Sequence, residues 1–242
     1  PLLAQIRRLA SSRGARRSAG MFLGDGAKLL EEALKWGAPL ETVVYSEGLD
    51  GPELPPEVRT VRVPEDVMAS ISPMESPQGA LFLCRMWDTA PPPRLEGGRY
   101  LVLDGLQDPG NVGTIWRTAD ALEADGLLLV HGCADPFGPK VVRATMGACF
   151  RLPVWETGPE RLADLLERSG LALYATALRE DTEDIKTADL SRSAVVIGSE
   201  GRGVSPELLA MSQRALKIPM RERCESLNAA AAAAVVLWEM GR

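Results

Sequence analysis

Apolar runs short enough for buried strands recur along the second half of the chain, separated by stretches with the apolar spacing of helices. The runs are expected to form five strands, at residues 100–104, 126–130, 171–176, 194–198 and 215–218. Because strands that alternate with helices assemble into parallel sheets covered on both faces, this half is predicted to be an α/β fold with a mostly parallel sheet. Ligands of such sheets bind beyond the carboxyl ends of the strands, so we expect chemistry in the loops after Asp104, Thr176, Gly198 and Ile218.

The first half of the chain predicts a smaller α/β domain. Helical apolar spacing covers residues 25–36, and three short strands are expected, at residues 42–45, 58–63 and 80–86. Residues 89–98 read TAPPPRLEGG, and three consecutive prolines followed by a glycine pair are typical of a stiff connector between domains. The predicted division is therefore a first domain of residues 1–90, a linker of residues 91–98 and a second domain of residues 99–242.

The composition is that of a folded globular protein, since 45% of the 242 residues are apolar and 25% are charged. The longest purely apolar run covers the ten residues 229–238, too few to span a bilayer, and the N-terminus lacks the layout of a signal peptide. We therefore expect a cytoplasmic protein without a membrane span. The same alanine-rich run is an excellent helix former, and it suits an interface helix and a buried core helix equally.

Metal chemistry is not expected from this sequence. The four cysteines lie far apart without a C-x-x-C pair, and His131 is the sole histidine. A structural zinc site needs clustered cysteine and histidine ligands, so the cysteines are expected to be small buried apolar side chains.

Positive charge is concentrated at the N-terminus of an otherwise acidic protein of net charge -6. Residues 1–24 contain no acidic side chain, and a basic segment of this kind is a candidate for contacts with the phosphates of a nucleic acid. A solvated helix face is the alternative, and charge alone does not separate the two. The basic side chains are Arg7, Arg8, Arg13, Arg16 and Arg17.

The first unusual strand-end segment reads DGLQDPGNVGTIWRTADA. A strand is expected to end at Asp104, and after a Pro-Gly turn Asn111 opens a helix that carries Arg117. Six residues separate these two polar side chains, so Arg117 is expected to point back toward the strand ends. Taken alone, Asn111 would be a helix cap and Arg117 a surface arginine.

The second segment, VVIGSEGRGVSPELL, runs from a buried strand into a glycine-rich loop that contains Glu200. Gly198 ends the strand, and Ser205 followed by proline is expected to start a helix. Glycines of this kind let backbone amides approach a ligand closely, although a plain turn is the alternative. The G-x-G-x-x-G fingerprint of dinucleotide binding is absent.

The third segment, IPMRERCESLNAAAAAAVVLWEM, leads from a strand through a polar loop into the last helix. Ser226 is expected to cap that helix, and Asn228 follows it. A serine hydrolase is disfavoured because the chain has no G-x-S-x-G motif and one histidine only.

Together these segments resemble the three motifs of the SpoU (TrmH-like) RNA ribose methyltransferases. The motifs read N-V-G-x-x-x-R, then I-G-S-E-G-R-G-V, then I-P-M followed by E-S-L-N-x-x-x-A, and their order, spacing and C-terminal placement match the family. The first domain adds RRSAGMFLGDGAKLLEEAL and SPQGALFL, which are similar to the family's RNA-binding domain. One departure is Asp25-Gly26, where the family usually has Glu-Gly.

The resemblance implies a fold of the SPOUT class. Its C-terminal part would be a Rossmann-like parallel sheet with a deep trefoil knot that binds S-adenosylmethionine, and its small N-terminal α/β domain would resemble a ribosomal RNA-binding protein. An obligate homodimer is also implied. Topology rules alone would have rejected a knot, because true knots are nearly absent among proteins.

The resemblance also implies the site residues. Those of the catalytic centre are Asn111, Arg117, Glu200, Ser226 and Asn228. Those beside the cofactor are Thr176, Ala177, Gly198, Ile218 and Leu227. The segment DPFGPKVVRATMGACF resembles the family as well, and its Lys140 and Arg143 join the N-terminal arginines as candidate RNA contacts.

The implied activity is methyl transfer from S-adenosylmethionine to a ribose 2′-hydroxyl, with 23S ribosomal RNA as the first candidate substrate and transfer RNA as the second. A non-catalytic RNA-binding assembly factor of the same fold is the alternative. Because a guanidinium is effectively never deprotonated in proteins, Arg117 is expected to orient the hydroxyl, while Glu200, solvent or phosphate takes the proton.

Overall fold

The computed structural model describes residues 1–177, 181–221, 223 and 226–242. The chain divides into two compact units. The first consists of Pro1–Trp87 and Asp135–Arg151, and the second of Asp88–Ala134 and Leu152–Arg242. The division at residues 91–98 stays a prediction, and the compact units differ from it in the placing of segment 135–151.

The first unit is built on a mixed sheet with the strand order β1-β4-β2-β3. Strand β4 pairs antiparallel with both neighbours, whereas β2 and β3 are parallel. Numbered in chain order over the whole protein, its elements are α1 (Leu2–Ser11), α2 (Arg13–Ala19), β1 (Met21–Asp25), α3 (Ala27–Lys35), β2 (Leu40–Ser46), β3 (Arg59–Val63), α4 (Glu65–Ile71), β4 (Ala80–Arg85) and α6 (Pro139–Ala144).

The three strands and the helix expected in the first half are present, but the first strand of this unit was not predicted. Strand β1 ends at Asp25 and α3 begins at Ala27. Between them Gly26 has φ +122, a conformation that L side chains rarely adopt, and it turns the chain from strand to helix. The continuous apolar spacing over 25–36 concealed this break.

The second unit contains a parallel sheet with the strand order β7-β6-β5-β10-β8-β11-β9. All of its described strand pairs are parallel, which confirms the predicted α/β fold. Its elements are β5 (Arg99–Asp104), α5 (Pro109–Ala121), β6 (Gly126–Val130), β7 (Val154–Glu156), α7 (Pro159–Ser169), β8 (Ala172–Thr176), β9 (Glu183–Asp184), β10 (Ser193–Gly198), α8 (Pro206–Met211), β11 (Arg214–Lys217) and α9 (Ala229–Met240).

The five strands expected in the second half are all present, and the central ones explain the unbroken apolar runs. Side chains on both faces of β5 and β10 are fully buried, as in Leu101, Val102, Val195 and Val196. A strand covered on both faces needs apolar residues at every position rather than at alternate ones. The unpredicted strands β7 and β9 have three and two residues and lie at the sheet edges, so they carry too little pattern to detect.

The parallel arrangement brings the carboxyl ends of the central strands to one edge of the sheet. Gly198 at the end of β10 pairs with Asp104 at the end of β5, and β8 ends at Thr176 on the other side of β10. The loops that follow these strands therefore meet, as expected for a ligand site in this class of sheet.

No helix within the described part of the chain is long and apolar enough to cross a membrane.

Candidate active site

The loop after β10 is a tight turn that only glycine allows at its base. A Cβ added to Gly198 would lie 2.2 Å from the backbone carbon of Gly203 and 2.2 Å from the backbone nitrogen of Val204. Ser199 and Gly203 close the turn with backbone hydrogen bonds in both directions, of 3.1 and 2.7 Å. The loop is thus a turn, and its closed geometry presents the side chain of Glu200.

Glu200 joins the three motif segments in one hydrogen-bonded cluster. Its Oε1 accepts from the side-chain amide of Asn111 at 2.7 Å and from that of Asn228 at 2.8 Å. Asn228 Nδ2 also lies 3.1 Å from Asn111 Oδ1, and the backbone N–H of Ala229 reaches Glu200 Oε1 at 3.4 Å. The structure therefore brings together Asn111, Glu200 and Asn228, which are far apart in sequence.

The capping roles expected for Asn111 and Ser226 are wrong. Asp108 caps α5, because Pro109 takes the first helical position and Asp108 Oδ1 accepts from the backbone N–H of Asn111 at 2.7 Å. Helix α9 is capped by Asn228, whose Oδ1 accepts from Ala230 and Ala231. Asn228 thus starts the helix with its oxygen and binds Glu200 with its nitrogen.

Arg117 does not join this cluster. It lies six residues after Asn111 on α5, which places it about 9 Å further along the helix and about 120° around it. Its side chain is exposed, and no hydrogen bond or ion pair to its guanidinium is found among the described residues. The expectation that Arg117 points back to the strand ends of its own chain is therefore not supported.

A cavity of about 390 Å³ lies beside Glu200 at the carboxyl ends of β8, β10 and β11. Backbone contacts fix its strand-end walls, because Thr176 Oγ1 donates to the carbonyl of Val196 at 2.8 Å and Ala177 N donates to that of Leu216 at 2.9 Å. All five residues expected beside the cofactor line it, together with Glu200 and Ser226 of the expected catalytic set. The other lining residues are Ile197, Ser199, Gly203, Val204, Leu216, Met220, Ala229 and Ala232.

A second polar network at the same edge of the sheet was missed by the sequence analysis. Buried Asp104 accepts from the backbone N–H of Ser205 at 2.6 Å, and its other oxygen lies 2.6 Å from His131 Nδ1. His131 Nε2 lies 3.2 Å from a carboxylate oxygen of Glu207. The hydrogen bond with Asp104, followed by that with Glu207, raises the pKa of His131 above its usual value despite partial burial. An aspartate at a strand end and a lone histidine were the available signals.

Two of the expected RNA contacts are engaged within the first unit. The buried Arg16 places Nε and Nη2 at 2.8 and 2.7 Å from Asp135 Oδ2, and its Nη1 donates to the carbonyl of Leu9 at 2.6 Å. Arg143 Nη1 lies 3.5 Å from the carboxylate of buried Asp25, whose pKa is raised chiefly by burial. Both guanidiniums therefore face acidic partners inside the unit, Arg16 as a buried side chain and Arg143 as a half-buried one.

The other expected RNA contacts are exposed. Arg7 donates to the Ser70 hydroxyl at 3.1 Å, and the Arg17 guanidinium lies 5.3 Å from the ring centroid of Phe137. The exposed residues of the set are Arg7, Arg8, Arg13, Arg17 and Lys140. Lys140 and Arg143 both belong to segment 135–151 of the first unit.

The described cysteines are buried free thiols. Burial raises the pKa of Cys84 and Cys149 to about 12 and that of Cys133 to about 11, so these side chains are protonated at neutral pH. Cys224 lies outside the described residues. Over residues 1–177, 181–221, 223 and 226–242, no group of three or more His, Cys, Asp or Glu side chains is placed to hold a metal ion.

Comparison with known families gives one match in each half of the chain. The description "SpoU rRNA Methylase family" matches residues 98–238, and an "MRM3-like substrate binding domain" matches residues 1–81. The fold and the site are those of an α/β methyltransferase, and the chain belongs to the SpoU family. The family resemblance predicted from the motifs is confirmed.

Individual relatives extend over nearly the whole chain. The 23S rRNA (guanosine(2553)-2'-O)-methyltransferase RlmP of Bacillus subtilis is 34% identical over 227 residues, covering 93% of this chain and 90% of that protein.

Solved structures agree equally well. The SpoU methyltransferase AviRb from Streptomyces viridochromogenes in complex with AdoMet superposes with a TM-score of 0.88 at 29% identity, over 99% of this chain and 97% of that one. An AdoMet-bound rRNA methyltransferase from Sinorhizobium meliloti gives a TM-score of 0.86 at 30% identity, over 99% and 94%.

Proposed function

We propose that this protein is an S-adenosylmethionine-dependent methyltransferase that modifies a ribose 2′-hydroxyl of 23S ribosomal RNA. The observation that carries the proposal is the cluster of Asn111, Glu200 and Asn228, which joins one residue from each family motif beside a cavity at the strand ends. The named activity of the Bacillus subtilis relative supports the choice of ribosomal RNA over transfer RNA.

The cavity fits S-adenosylmethionine in shape and chemistry. Its walls are largely apolar and suit an adenine ring, while Gly198 allows the backbone of Gly203 to pack against the strand end and close the loop that carries Glu200. The carboxylate of Glu200 lies in the wall and favours a positively charged ligand nearby. When bound, this cofactor supplies a methyl group activated on a sulfonium. Residues Thr176, Ala177, Gly198, Ile218 and Leu227 would hold it.

The two oxygens of Glu200 have different tasks in this proposal. Oε1 accepts the three N–H groups that fix the carboxylate, whereas no hydrogen bond from the described residues reaches Oε2. Oε2 is therefore the atom available to accept the proton of a ribose hydroxyl. Asn111 and Asn228 orient the carboxylate, and Ser226 in the cavity wall offers a hydroxyl for hydrogen bonding.

The active form in this proposal is a homodimer of the SPOUT class with a knotted cofactor loop. Strand order β10-β8-β11 and the return of the chain to Glu200 at Asn228 support such a loop. Trp238 on α9 is 63% exposed, as expected of a helix that a second copy covers. Arg117, which is separate from the cluster of its own chain, would then serve the cluster of the partner by orienting the ribose and its phosphate.

The first unit would bind the RNA, in the cytoplasm where ribosomes are made. The match of residues 1–81 to a substrate binding domain supports this role, as do the exposed cations of α1 and α2. Phosphate contacts of this kind hold an RNA in place without reading its sequence.

The test is transfer of radiolabelled methyl from S-adenosylmethionine to unmodified 23S rRNA and to tRNA in parallel, followed by alkaline hydrolysis. A 2′-O-methyl group blocks cleavage, so label is expected in alkali-resistant dinucleotides from 23S rRNA, with loss of label in Glu200→Gln. Alkali-resistant label from tRNA alone would contradict 23S rRNA as the substrate. Binding of 23S rRNA without any label in naked RNA or ribosomal particles would indicate an assembly factor instead.

A further inference from the structure

Large apolar side chains that solvent reaches are few in the described part of the chain. They are Trp36, Met146, Leu227 and Trp238, which are 49%, 45%, 37% and 63% exposed. Leu227 lines the cofactor cavity, and Trp238 lies on the helix assigned to the second copy. Trp36 and Met146 belong to the first unit and are part of neither the cofactor cavity nor helix α9. Tryptophan is enriched at binding interfaces, so an exposed tryptophan is a candidate for one.

Trp36 ends helix α3 and has two cations beside its ring. The Arg151 guanidinium carbon lies 5.6 Å from the ring centroid, and Lys35 Nζ lies 5.9 Å from it. Both distances fall within the range of cation–π attraction. The indole is thus an exposed apolar ring with two cations positioned over it, and the Arg151 guanidinium adds a second planar group to its surface.

Contacts between segment 145–151 and helix α3 hold Trp36 and Arg151 in place. Arg151 forms an ion pair with Glu32, one helical turn before Trp36. Gly147 has φ +93 and lies so close to α3 that an added Cβ would be 2.7 Å from Glu32 Cβ. Segment 145–151 therefore packs directly on α3, and it places the exposed Met146 next to this contact.

We propose that Trp36, with Lys35 and Arg151, forms a stacking site for an unpaired nucleotide of the RNA substrate. Unpaired bases stack on aromatic and guanidinium planes regardless of their sequence, and neighbouring cations attract the attached phosphate. The site rests on the proposed function in that the ligand is an RNA. It adds a contact to the base, which the exposed arginines of α1 and α2 do not provide.

The charge beside the ring favours a nucleic acid over a protein. Lysine is depleted in the centres of protein interfaces, where its desolvation is costly, whereas it is common beside nucleotide phosphates. Trp36 instead has a lysine as its direct neighbour, with Nζ 5.9 Å from the ring centroid. A second protein copy is accordingly an alternative that the experiment must separate.

The experiment compares Trp36→Leu with Trp36→Phe in the full-length protein. Leucine keeps an apolar side chain but has no π face, whereas phenylalanine keeps the face. With unmodified 23S rRNA, Trp36→Leu is expected to raise the Kd about tenfold and to leave the rate at saturating RNA unchanged. Trp36→Phe is expected to stay within about threefold of the unaltered protein.

Two short RNAs test whether an unpaired base is needed. Trp36→Leu is expected to bind a single-stranded oligouridine more weakly than the unaltered protein does. An RNA duplex of equal length is expected to bind the variant and the unaltered protein alike. Lys35→Gln should lower the slope of log affinity against log salt by about 0.7, whereas the matched change Lys186→Gln in the second unit should not.

Equal RNA affinities of Trp36→Leu and the unaltered protein would overturn the stacking site, and so would a change of sedimentation in Trp36→Leu, which would assign the ring to a second copy. These binding measurements do not depend on methyl transfer. If the protein binds RNA through Trp36 yet transfers no methyl, the stacking site stands and the proposed activity fails.

Discussion

The strand-end site of the second unit and the arginines of the first unit were predicted from the same chain, with different outcomes. In the second unit Asn111, Glu200 and Asn228 meet within hydrogen-bond distance, and the five expected cofactor residues line one cavity. In the first unit the expected RNA contacts divide. Arg16 and Arg143 face buried carboxylates, whereas their neighbours in sequence are exposed.

The difference lies in what each pattern demands of the backbone. A glycine that no other residue can replace specifies local geometry, so it locates the side chains around it. A run of arginines specifies charge only. A charge on a helix next to an internal aspartate becomes part of the fold, and the sequence does not show which arginine that is.

The largest effect on activity is expected from substitutions of Arg117 and Glu200, alone and in different copies of the dimer. Arg117→Ala and Glu200→Gln should each lower methyl transfer by about 100-fold or more, because one removes the orienting cation and the other the proton acceptor. Heterodimers that carry one variant in each copy, purified through two different tags, should regain about half of the activity, since one of their two sites is complete.

Heterodimers that stay inactive would place Arg117 in the site of its own chain. A protein that sediments as a monomer at micromolar concentration would contradict the dimer itself. The first result would assign Arg117 to the site of its own chain, and the second would leave the Glu200 cluster without an arginine from a partner.

In the first unit, Arg16→Ala and Arg8→Ala should differ in stability. Loss of Arg16 leaves the largely buried Asp135 without its main partner, and the free energy of unfolding should fall by about 3 kcal/mol. Arg8 is exposed on α1, and its loss should change stability by less than about 0.5 kcal/mol. Urea unfolding of the two variants measures both values.

RNA binding should show the reverse order. At a temperature where both variants are folded, Arg8→Ala should weaken the binding of 23S rRNA and lower its salt dependence, whereas Arg16→Ala should bind like the unaltered protein. Equal losses of stability in Arg16→Ala and Arg8→Ala would mean that the ion pair between Arg16 and Asp135 does not stabilise the first unit.

A smaller effect is expected at the base of the Glu200 loop. Gly198→Ala places a methyl group against the backbone of Gly203 and should weaken S-adenosylmethionine binding roughly 30-fold, or about 2 kcal/mol. The matched variant is Gly201→Ala in the same loop, where an added Cβ has no neighbour within 4 Å. Calorimetry should find its affinity for S-adenosylmethionine within about twofold of the unaltered protein.

The alternation of buried strands and helices predicted the parallel sheet and a site at its strand ends, whereas the residues of that site were implied by the family resemblance. The sequence did not predict strand β1, which a left-handed glycine separates from α3, or the network of Asp104 and His131. That network joins the ends of β5 and β6 to the start of α8 through contacts between residues 27 to 101 positions apart, and a contact of this kind has no local pattern. For the same reason the partner of Arg16, 119 residues away, was not foreseen.

The smallest expected effect is a dependence of the free energy of unfolding on pH, which arises from His131 in the second unit. Hydrogen bonds to Asp104 and Glu207 raise the pKa of His131 above its usual value of 6.5, so the charged imidazole favours the folded state. This stabilisation is complete below about pH 6.5 and is lost as the pH rises through the raised pKa, because the neutral ring turns a lone pair toward one carboxylate. The free energy of unfolding should therefore fall by less than about 1 kcal/mol over this range, and His131→Gln should remove the dependence.

His131 is the sole histidine, so protein prepared without a histidine tag gives one imidazole NMR titration. A midpoint above that of a histidine in an unfolded chain is expected, and it should fall in Glu207→Gln. A midpoint at or below the unfolded value would remove the charged imidazole from the network. The Arg16 pair of the first unit should be insensitive over the same range, because a guanidinium does not titrate there. The second unit thus contains a network that loss of a proton weakens near neutral pH, whereas the Arg16 pair of the first unit is expected to be unaffected over the same range.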